Sequence, residues 1–577
     1  MNFDIKQVPF SRYGSYISFS KIAKELAGKK GGEVLYLRTI HGDSHVKEVF
    51  EIGLSHNGNE VPFEIHASPA YLRLQSSHGY VDICIADEKV VRIKGHNTGI
   101  TLTLVMSIGH DNIIPVESNR WVVNASKSMI QYMLTPICGT VTIDAPWNGL
   151  NCNYLNIYID TDKDTNSFEF VLEEFRGCTE IKDYPESFEG CVKQVEEAFL
   201  SFLEKVPEVP GEFAKTQELA AYVNWASVVS PAGILKRHAM LMSKNWMTNV
   251  WSWDHCFNAI AMCYKFPELA WDQFMVLFDF QNEQGELPDF VNDNDVMWNF
   301  CKPPIHGWAL RKMMARSNYI DRTKLEEIYY PLCRWTKWWF EYMDEDRDGI
   351  PQYNHGNDSG WDNGTAFTER PPIEGPDLSA FLIIQMEVLS DIAVALGNKD
   401  EGEMWKRKAS ELLDRLLSHS LRDGVFVAMR SNDHKVIKSQ SLQLYIPILL
   451  GKRLPENVLC DIIDKLKNSG IITEFGLATE DISSSLYQAD GYWRGPIWAP
   501  STMLIVDGLI EAGEIKLARD ICSKFAKLVS QNGFAENFNA LTGEGLRDRA
   551  YTWTSSVFLI LANDFLLENN RDGCGIS

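Results

Sequence analysis

The sequence predicts a mainly α protein: an (α/α)6 toroid spanning residues 186–577, preceded by a β-sandwich-like domain spanning residues 1–185. Three observations predict it. The hydrophobic period changes from two to about 3.6 residues near Cys191. Roughly twelve or thirteen helical stretches follow, enough for about six helical hairpins. Between them run long loops rich in Trp, Asp and Gly, and such loops in a compact domain are usually functional.

The first part reads as short strands. ITLTLVM (Ile100 to Met106) alternates apolar and polar residues, and VVRIKG, VDICIAD, LNIYID and FEFVLEEF are β-rich runs. The turn signals HNG, HGD and TDKD separate strands. Many short strands with turns between them predict a sandwich. No constellation of catalytic side chains stands out in this part, so its expected role is structural or accessory.

The second part reads as helices. In ELAAYVNWASVV, WTKWWFEYM and LARDICSKFAKLV the apolar residues recur at i, i+3 and i+4. Leu517, Ile521, Phe525 and Leu528 form one such stripe, and Gly533 follows it as a C-cap candidate.

Composition bounds the partners. The chain has 577 residues, 45% of them hydrophobic and 23% charged, as in globular proteins with large cores. A formal net charge of −23 disfavours nucleic acid and anionic membranes. No unbroken apolar run of membrane-spanning length occurs. The start, MNFDIKQVPFSRYG, lacks the pattern of a secretion signal. Twelve cysteines are scattered from Cys84 to Cys574 without a CxxC pair, and Cys256 and Cys263 are closest. They read as buried or semi-buried thiols, with neither metal nor disulfide framework, and predict a cytoplasmic location. The 17 Trp residues concentrate after about residue 225. They suit either a core or a sugar-stacking surface.

Four loop segments join aromatics to a carboxylate or Arg: WSWDHCF (Trp251 to Phe257), SGWDNG (Ser359 to Gly364), DGYWRGPIW (Asp490 to Trp498) and FAENFNALTG (Phe534 to Gly543). A toroid would gather them at one mouth. Glycosidic cleavage needs one acid to protonate the leaving oxygen and a second carboxylate to activate water or attack the anomeric carbon. Asp362, beside Trp361, fits the acid, because apolar walls keep a carboxyl protonated. Glu536 fits the base, although Glu480 and Glu544 are equally suited by residue type. Taken singly, Asp362 also fits an Asx-turn or N-cap, and Asp254 and Arg494 fit structural roles.

Taken in order, WSWDHCF, DSGWDNG, DGYWRGPIW and AENFNALTG resemble glycoside hydrolase family 63 over roughly residues 215–565. That family includes processing α-glucosidases and bacterial hydrolases of mannosylglycerate and glucosylglycerate. Family 37 trehalases look like more distant relatives. The resemblance implies a β-sandwich before an (α/α)6 barrel and an inverting, exo-acting α-glycosidase on a short oligosaccharide or small glycoside. It implies Asp362 as general acid and Glu536 as general base, about 6.5–9.5 Å apart so as to hold a water. It also places Trp251, Asp254, Trp361, Tyr492, Trp493, Arg494, Gly495, Trp498 and Trp553 around the sugar. No cofactor is implied.

Two positions depart from the family pattern. Pro288-Asp289 stands where relatives often have Pro-His, and Lys302-Pro303-Pro304 where they often have Gln-Pro-Pro. Asp289 and Lys302 therefore either read substrate groups, such as a carboxylate on Lys302, or pair with each other. DEDRDG (Asp344 to Gly349) copies the start of an EF-hand loop, but His355 occupies the twelfth position, where a bidentate Glu is needed. Calcium is expected at most as an optional structural ion.

Two other classes stay open. Sugar epimerases share such toroids and use paired histidines, for which His238, His255 and His306 are candidates. A non-catalytic carbohydrate-binding protein would not need both Asp362 and Glu536.

Overall fold

The computed structural model describes residues 1–23, 32–43, 47–106, 109–117 and 119–567. The chain divides into two compact units. One comprises residues 1–204 with 221–233 and 243–248; the other comprises residues 205–220, 234–242 and 249–577.

The first unit holds two antiparallel sheets. One runs Phe10–Ser11, Ile17–Ala23, Glu33–Thr39, Glu48–His56, Gly99–Leu104, Asn156–Asp160, Thr140–Asp144, with Asn59–Val61 beside Glu48–His56. The other runs Asn112–Val116, Arg120–Ala125, Ile130–Cys138, Ser167–Phe175, Val90–His96, Tyr80–Asp87, Leu72–Gln75, Glu64–Ala67. The alternating residues do the work expected of them. Ile100, Leu102, Ile52 and Leu54 from one sheet share a core with Ile83, Val91, Ile93 and Phe170 from the other. The HNG signal is a two-residue hairpin turn in which Asn57 and Gly58 both take positive φ, matching the strand twist. Among the described residues, α1 (Phe188–Leu203) is the α-helix lying wholly within this unit. Ser187 caps it by accepting from Gly190 N, and Phe188, Cys191, Val195, Phe199 and Phe202 form its buried stripe.

Among the described residues eleven more α-helices follow: α2 (Ala214–Ser227), α3 (Asp254–Met262), α4 (Pro267–Met275), α5 (His306–Arg316), α6 (Arg322–Tyr342), α7 (Pro376–Leu396), α8 (Lys399–Ser420), α9 (Glu456–Lys467), α10 (Ala499–Glu511), α11 (Ile515–Asn532) and α12 (Thr552–Leu561). Between α8 and α9, Leu442–Arg453 is 3-10 helix and not α. Pro447 removes a donor inside it, and Gly451 breaks it with φ +50°.

Six of these elements close a ring. In the second unit α12 packs on α3, α3 on α5, α5 on α7, α7 on Leu442–Arg453, that segment on α10, and α10 on α12. Outside them, α4 covers α3, α6 and α8 cover α7, α9 covers Leu442–Arg453, and α11 covers α10. Of the ring elements, α7, α10 and α12 are buried along nearly their whole length, so their sequences are apolar nearly all round. Helix α7 carries this furthest. It has the length and composition of a membrane span, yet most of it is buried in the protein. The expected stripe of α11 buries Ile521, Phe525 and Leu528, and Gly533 ends the helix at φ +72°.

The eleven cysteines of the described residues are free thiols. Cys138, Cys178 and Cys460 are exposed, against the expectation of burial: each lies at a strand end, in a loop or on the outer face of α9. Cys574 lies outside the described residues.

Candidate active site

Five of the six ring elements are entered from a loop that carries chemistry-bearing residues. Trp251 leads into α3, Lys302 into α5, Asp362 into α7, DGYWRGPIW into α10 and Glu536 into α12. Short strand pairings lock these loops to one another. Val250–Trp251 pairs with Phe290–Val291, next to Asp289. Ile497 exchanges two backbone hydrogen bonds with Phe538, at 2.7 and 2.9 Å, joining the loop of Tyr492 to that of Glu536.

The acid-bearing loop holds two aspartates with opposite fates. Asp358 is 4% exposed. It accepts from Cys301 N (3.2 Å), Asn354 N (3.0 Å) and His355 N (2.8 Å), so it organises backbone. Asp362 keeps 36% of its side-chain surface open. Protein surrounds the rest of its carboxyl, and this desolvation raises its pKa above the usual range, with the Lys302 charge opposing. At Gly360, φ is +75°, and a Cβ would lie 2.5 Å from the Trp253 ring, so the turn before Asp362 requires glycine.

Lys302 has several partners within the protein. It is 3% exposed. Its ammonium lies 3.2 Å from Asp289 Oδ1, donates to Asn357 O at 2.9 Å and to Asn357 Oδ1, and stands 4.0 Å from Asp362 Oδ1. Lys302 and Asp289 pair with each other. Burial alone would lower the lysine's pKa, but Asp289, Asp362 and Asp254 hold it above its usual value. Asp254, the first residue of α3, is 3% exposed, and burial pushes its carboxyl well up against the opposing Lys302 charge.

Glu536 sits where its strand meets the chain from Asp548, whose carbonyl accepts from Glu536 N at 2.7 Å. It is 5% exposed. Burial and the Asp548 charge push its pKa up to about 7; a hydrogen bond from Tyr492 and the Arg547 charge oppose, and Asp362 adds to the rise. Glu536 thus feels the charge of Asp362, and Tyr492 feels both as well as Asp254. The rival carboxylates separate from this group. Glu480 is fully buried between Thr365 Oγ1 and Ser484 Oγ, each at 2.6 Å, and Glu544 is exposed.

The tryptophans depart from expectation. Trp361 (0% exposed), Trp493 (1%), Trp498 (1%) and Trp553 (3%) have no face open to a ligand. Trp493 stacks on Trp498 at 4.0 Å, Trp361 lies 4.8 Å from Trp493, and Trp498 and Trp253 both meet Trp553 edge-on. These rings spend their faces on one another and form a rigid aromatic base. Partly open rings are Trp251, which leans on Phe290, and Tyr492. Gly495 also has an internal reason: a Cβ there would sit 2.3 Å from Gln488 O. Arg494 donates to Asn363 O at 2.6 Å, and so holds the acid-bearing loop.

Sequence reasoning passed over Asn357 and Asn363. Asn357 Nδ2 donates to Asp289 Oδ2 at 3.2 Å. Asn363 donates to Gly491 O (3.0 Å) and accepts from Trp493 N (3.0 Å), fastening the loop of Asp362 to that of Tyr492. Both flank the SGWD core, and that adjacency was the available signal. Asp548, Arg547 and Tyr551 carried none. The histidine pair is closed off: His255 and His306 are 0% exposed, their rings 5.2 Å apart, and burial lowers the pKa of both.

Comparison with known proteins bears on the fold and the family. The mannosylglycerate hydrolase of Thermus thermophilus is 21% identical over 390 residues, covering 54% of this chain and 93% of that protein. The glucosylglycerate hydrolase of Mycolicibacterium hassiacum is 22% identical over 416 residues, covering 54% of this chain and 91% of that protein. A crystal structure of a GH63 mannosylglycerate hydrolase from Thermus thermophilus, in complex with Tris and D-glycerate, superposes with a TM-score of 0.53 at 18% identity over 59% of this chain and 98% of that one. A bacterial glucoamylase complexed with acarbose superposes with a TM-score of 0.63 at 12% identity over 97% of this chain and 94% of that one. Both structures carry the fold, an N-terminal antiparallel sandwich and an (α/α)6 toroid in the glucoamylase case. The family model of the mannosylglycerate hydrolase MGH1-like glycoside hydrolase domain matches residues 247–554, just over half of the 577 residues and all four motif segments down to Trp553, and the chain belongs to that glycoside hydrolase family.

Proposed function

We propose that this protein is an inverting, exo-acting α-glycosidase acting on a short oligosaccharide or small glycoside, with Asp362 as general acid and Glu536 as general base. The observation that carries the reading is that these two carboxylates, from loops 174 positions apart (362 and 536), converge on Tyr492, and that desolvation raises both above the ordinary carboxylate range. Asp362 delivers a proton to the glycosidic oxygen. Glu536, hydrogen-bonded by Tyr492, takes a proton from the attacking water on the opposite face. Asp254, almost buried among these groups, accepts from sugar hydroxyls, and Trp251 and Tyr492 offer apolar surface to the ring.

The named relatives hydrolyse glycosides of glycerate, an anionic aglycone. We infer a neutral aglycone here. Lys302 is engaged with Asp289 and Asn357, and Arg547 with Asp490 at 2.7 Å and Asn537 at 3.0 Å. The surrounding carboxylates of Asp254, Asp289, Asp362, Glu536 and Asp548 outnumber those two cations. Two of the three candidate histidines, His255 and His306, are closed to substrate, which weighs against an epimerase.

The test is turnover of α-linked gluco-, manno- and galacto-disaccharides beside glucosyl- and mannosylglycerate, following the released anomer by NMR. The expected result is a β-anomer product from a neutral α-glycoside, lost in Asp362→Asn and Glu536→Gln. An α-anomer product, or turnover unchanged in both variants, would overturn the mechanism. Preference for a glycerate glycoside would overturn the neutral aglycone alone.

A further inference from the structure

The segment that carries Asp362 is closed at its base by a second group of ligating side chains. DEDRDG precedes it: Arg347 and Gly349 take φ +60° and +82°, making a tight turn. One oxygen of each aspartate holds that turn. Asp346 Oδ1 accepts from Asp348 N at 3.4 Å, and Asp348 Oδ1 accepts from Ile350 N at 2.7 Å. Their other oxygens face a single imidazole: His434 Nε2 is 3.2 Å from Asp346 Oδ2 and 3.7 Å from Asp348 Oδ2. Asp346 Oδ2 also accepts from Asn432 N at 2.9 Å and Ser431 Oγ at 3.3 Å. Glu374 follows the acid-bearing loop, on the short strand Ile373–Glu374 that pairs with Met429–Arg430. That strand continues through the turn to His434, where Asn432 and His434 both take left-handed φ, +74° and +50°. Non-glycine residues in that region cost energy and mark places where a side chain is being aimed.

We propose that Asp346, Asp348, Glu374 and His434 form a binding site for one divalent cation of the zinc class. Their donor atoms all lie within 4.8 Å of one another. Donors around such an ion at about 2.0–2.2 Å stand roughly 3–3.5 Å apart, close to the His434 distances. An acidic cluster alone would not make a site. Here Glu374, 1% exposed and one of the four ligating residues, keeps Oε1 buried without a hydrogen-bond partner. Its Oε2 meets His419 Nε2 at 2.7 Å, and His419 Nδ1 lies 3.9 Å from Asp348 Oδ2, so a second imidazole braces both carboxylates. The mixture of imidazole and carboxylate selects the ion. Calcium takes six to eight oxygens, whereas zinc, cobalt and manganese accept imidazole nitrogen. His434, 43% exposed, gives the entry path. The ion would tie the two ends of residues 350–373 together, reinforcing the backbone bridge of Tyr353 with Ile373.

The experiment uses the untagged full chain after chelator treatment, titrated separately with Zn2+, Co2+ and Ca2+. The expected result is one equivalent of Co2+ with visible d–d absorption, displaced by Zn2+, and slowed amide exchange in residues 350–373. His434→Ala, at a half-open position that folding tolerates, should weaken Co2+ binding by about tenfold or more and alter the absorption. Glu374→Gln should do the same. Absence of a stoichiometric site, Co2+ binding unchanged in His434→Ala, or binding of Ca2+ alone would each overturn the proposal.

Discussion

The loop of Asp362 and the hairpin of Glu536 hold their carboxylates against opposite neighbours. Asp362 is about one-third open and stands 4.0 Å from the buried cation Lys302. Glu536 is 5% exposed and lies beside the anion Asp548, with Tyr492 and Arg547 as its counterweights. Desolvation raises both groups, but a cation limits the rise of one and an anion adds to that of the other. The asymmetry of the pair therefore lives in its neighbours as well as in burial. Glu536, at about 7, carries a proton through part of the neutral range in the free protein. Roles follow from the chemistry each variant loses.

The sharpest break comes from removing each carboxyl in turn. Asp362→Asn and Glu536→Gln should each lower kcat/KM on the natural glycoside by about 10³–10⁴-fold, the scale of general acid–base catalysis. They should then part company. A glycosyl fluoride needs no proton on its leaving group, so Asp362→Asn should recover to within about tenfold of the parent on it, while Glu536→Gln stays inactive. Azide should rescue a Glu536→Ala variant and leave Asp362→Ala unmoved. Rescue of the opposite variants would exchange the two roles.

Next in size is Lys302→Met. It strips the cation from the Asp362 side and leaves Asp289 buried without its partner. Breaking a buried pair in this way costs about 3–5 kcal/mol, which urea denaturation would read directly. Asp289→Asn in the same chain removes the stranded charge and should return a large part of the loss. If Lys302→Met kept full stability, the pairing would be incidental and a substrate role for the lysine would be back in play.

The comparison also explains what could be read from the sequence. The strands of the sandwich and the helices of the toroid follow from period, because one face or stripe of each is buried. The two carboxylates stood out through the loops they share with aromatics and glycine. Their neighbours did not. Lys302 is 60 positions from Asp362, and no local pattern says which residue a buried ammonium will meet. Asp548 is twelve positions from Glu536 and reaches it only because the hairpin folds back. The tryptophans misled for a related reason. Composition marks a ring as useful to sugar or to core, and only packing decides: Trp493 and Trp498 stack on each other and leave no face free. The 3-10 segment Leu442–Arg453 escaped because it replaces a helix at a position where the apolar pattern alone reads as one.

Asn363→Ala separates the loops without touching either carboxyl. Its side chain makes two hydrogen bonds across to Gly491 and Trp493, each worth about 1 kcal/mol. Loss of the clasp should lower kcat by about tenfold with less change in KM, since the acid is then held less firmly in its reacting geometry. A larger loss in KM than in kcat would point instead to direct contact between Asn363 and substrate.

The smallest effects are shifts of the pH profile, and they test the electrostatic difference most directly. As a base, Glu536 works when ionised, so kcat/KM should climb as pH rises through about 7. Tyr492 lowers that pKa by hydrogen-bonding the carboxylate; Tyr492→Phe should move the acid limb to higher pH. Asp548 raises it by its charge; Asp548→Asn keeps an oxygen that accepts from Ala550 N and should move the same limb to lower pH. Opposite displacements of one limb by two neighbours identify the titrating group as Glu536. If instead Lys302→Gln were the variant that moved the acid limb, the group would lie on the Asp362 side. The loss of a positive charge would then raise that pKa, and the limb would shift upward.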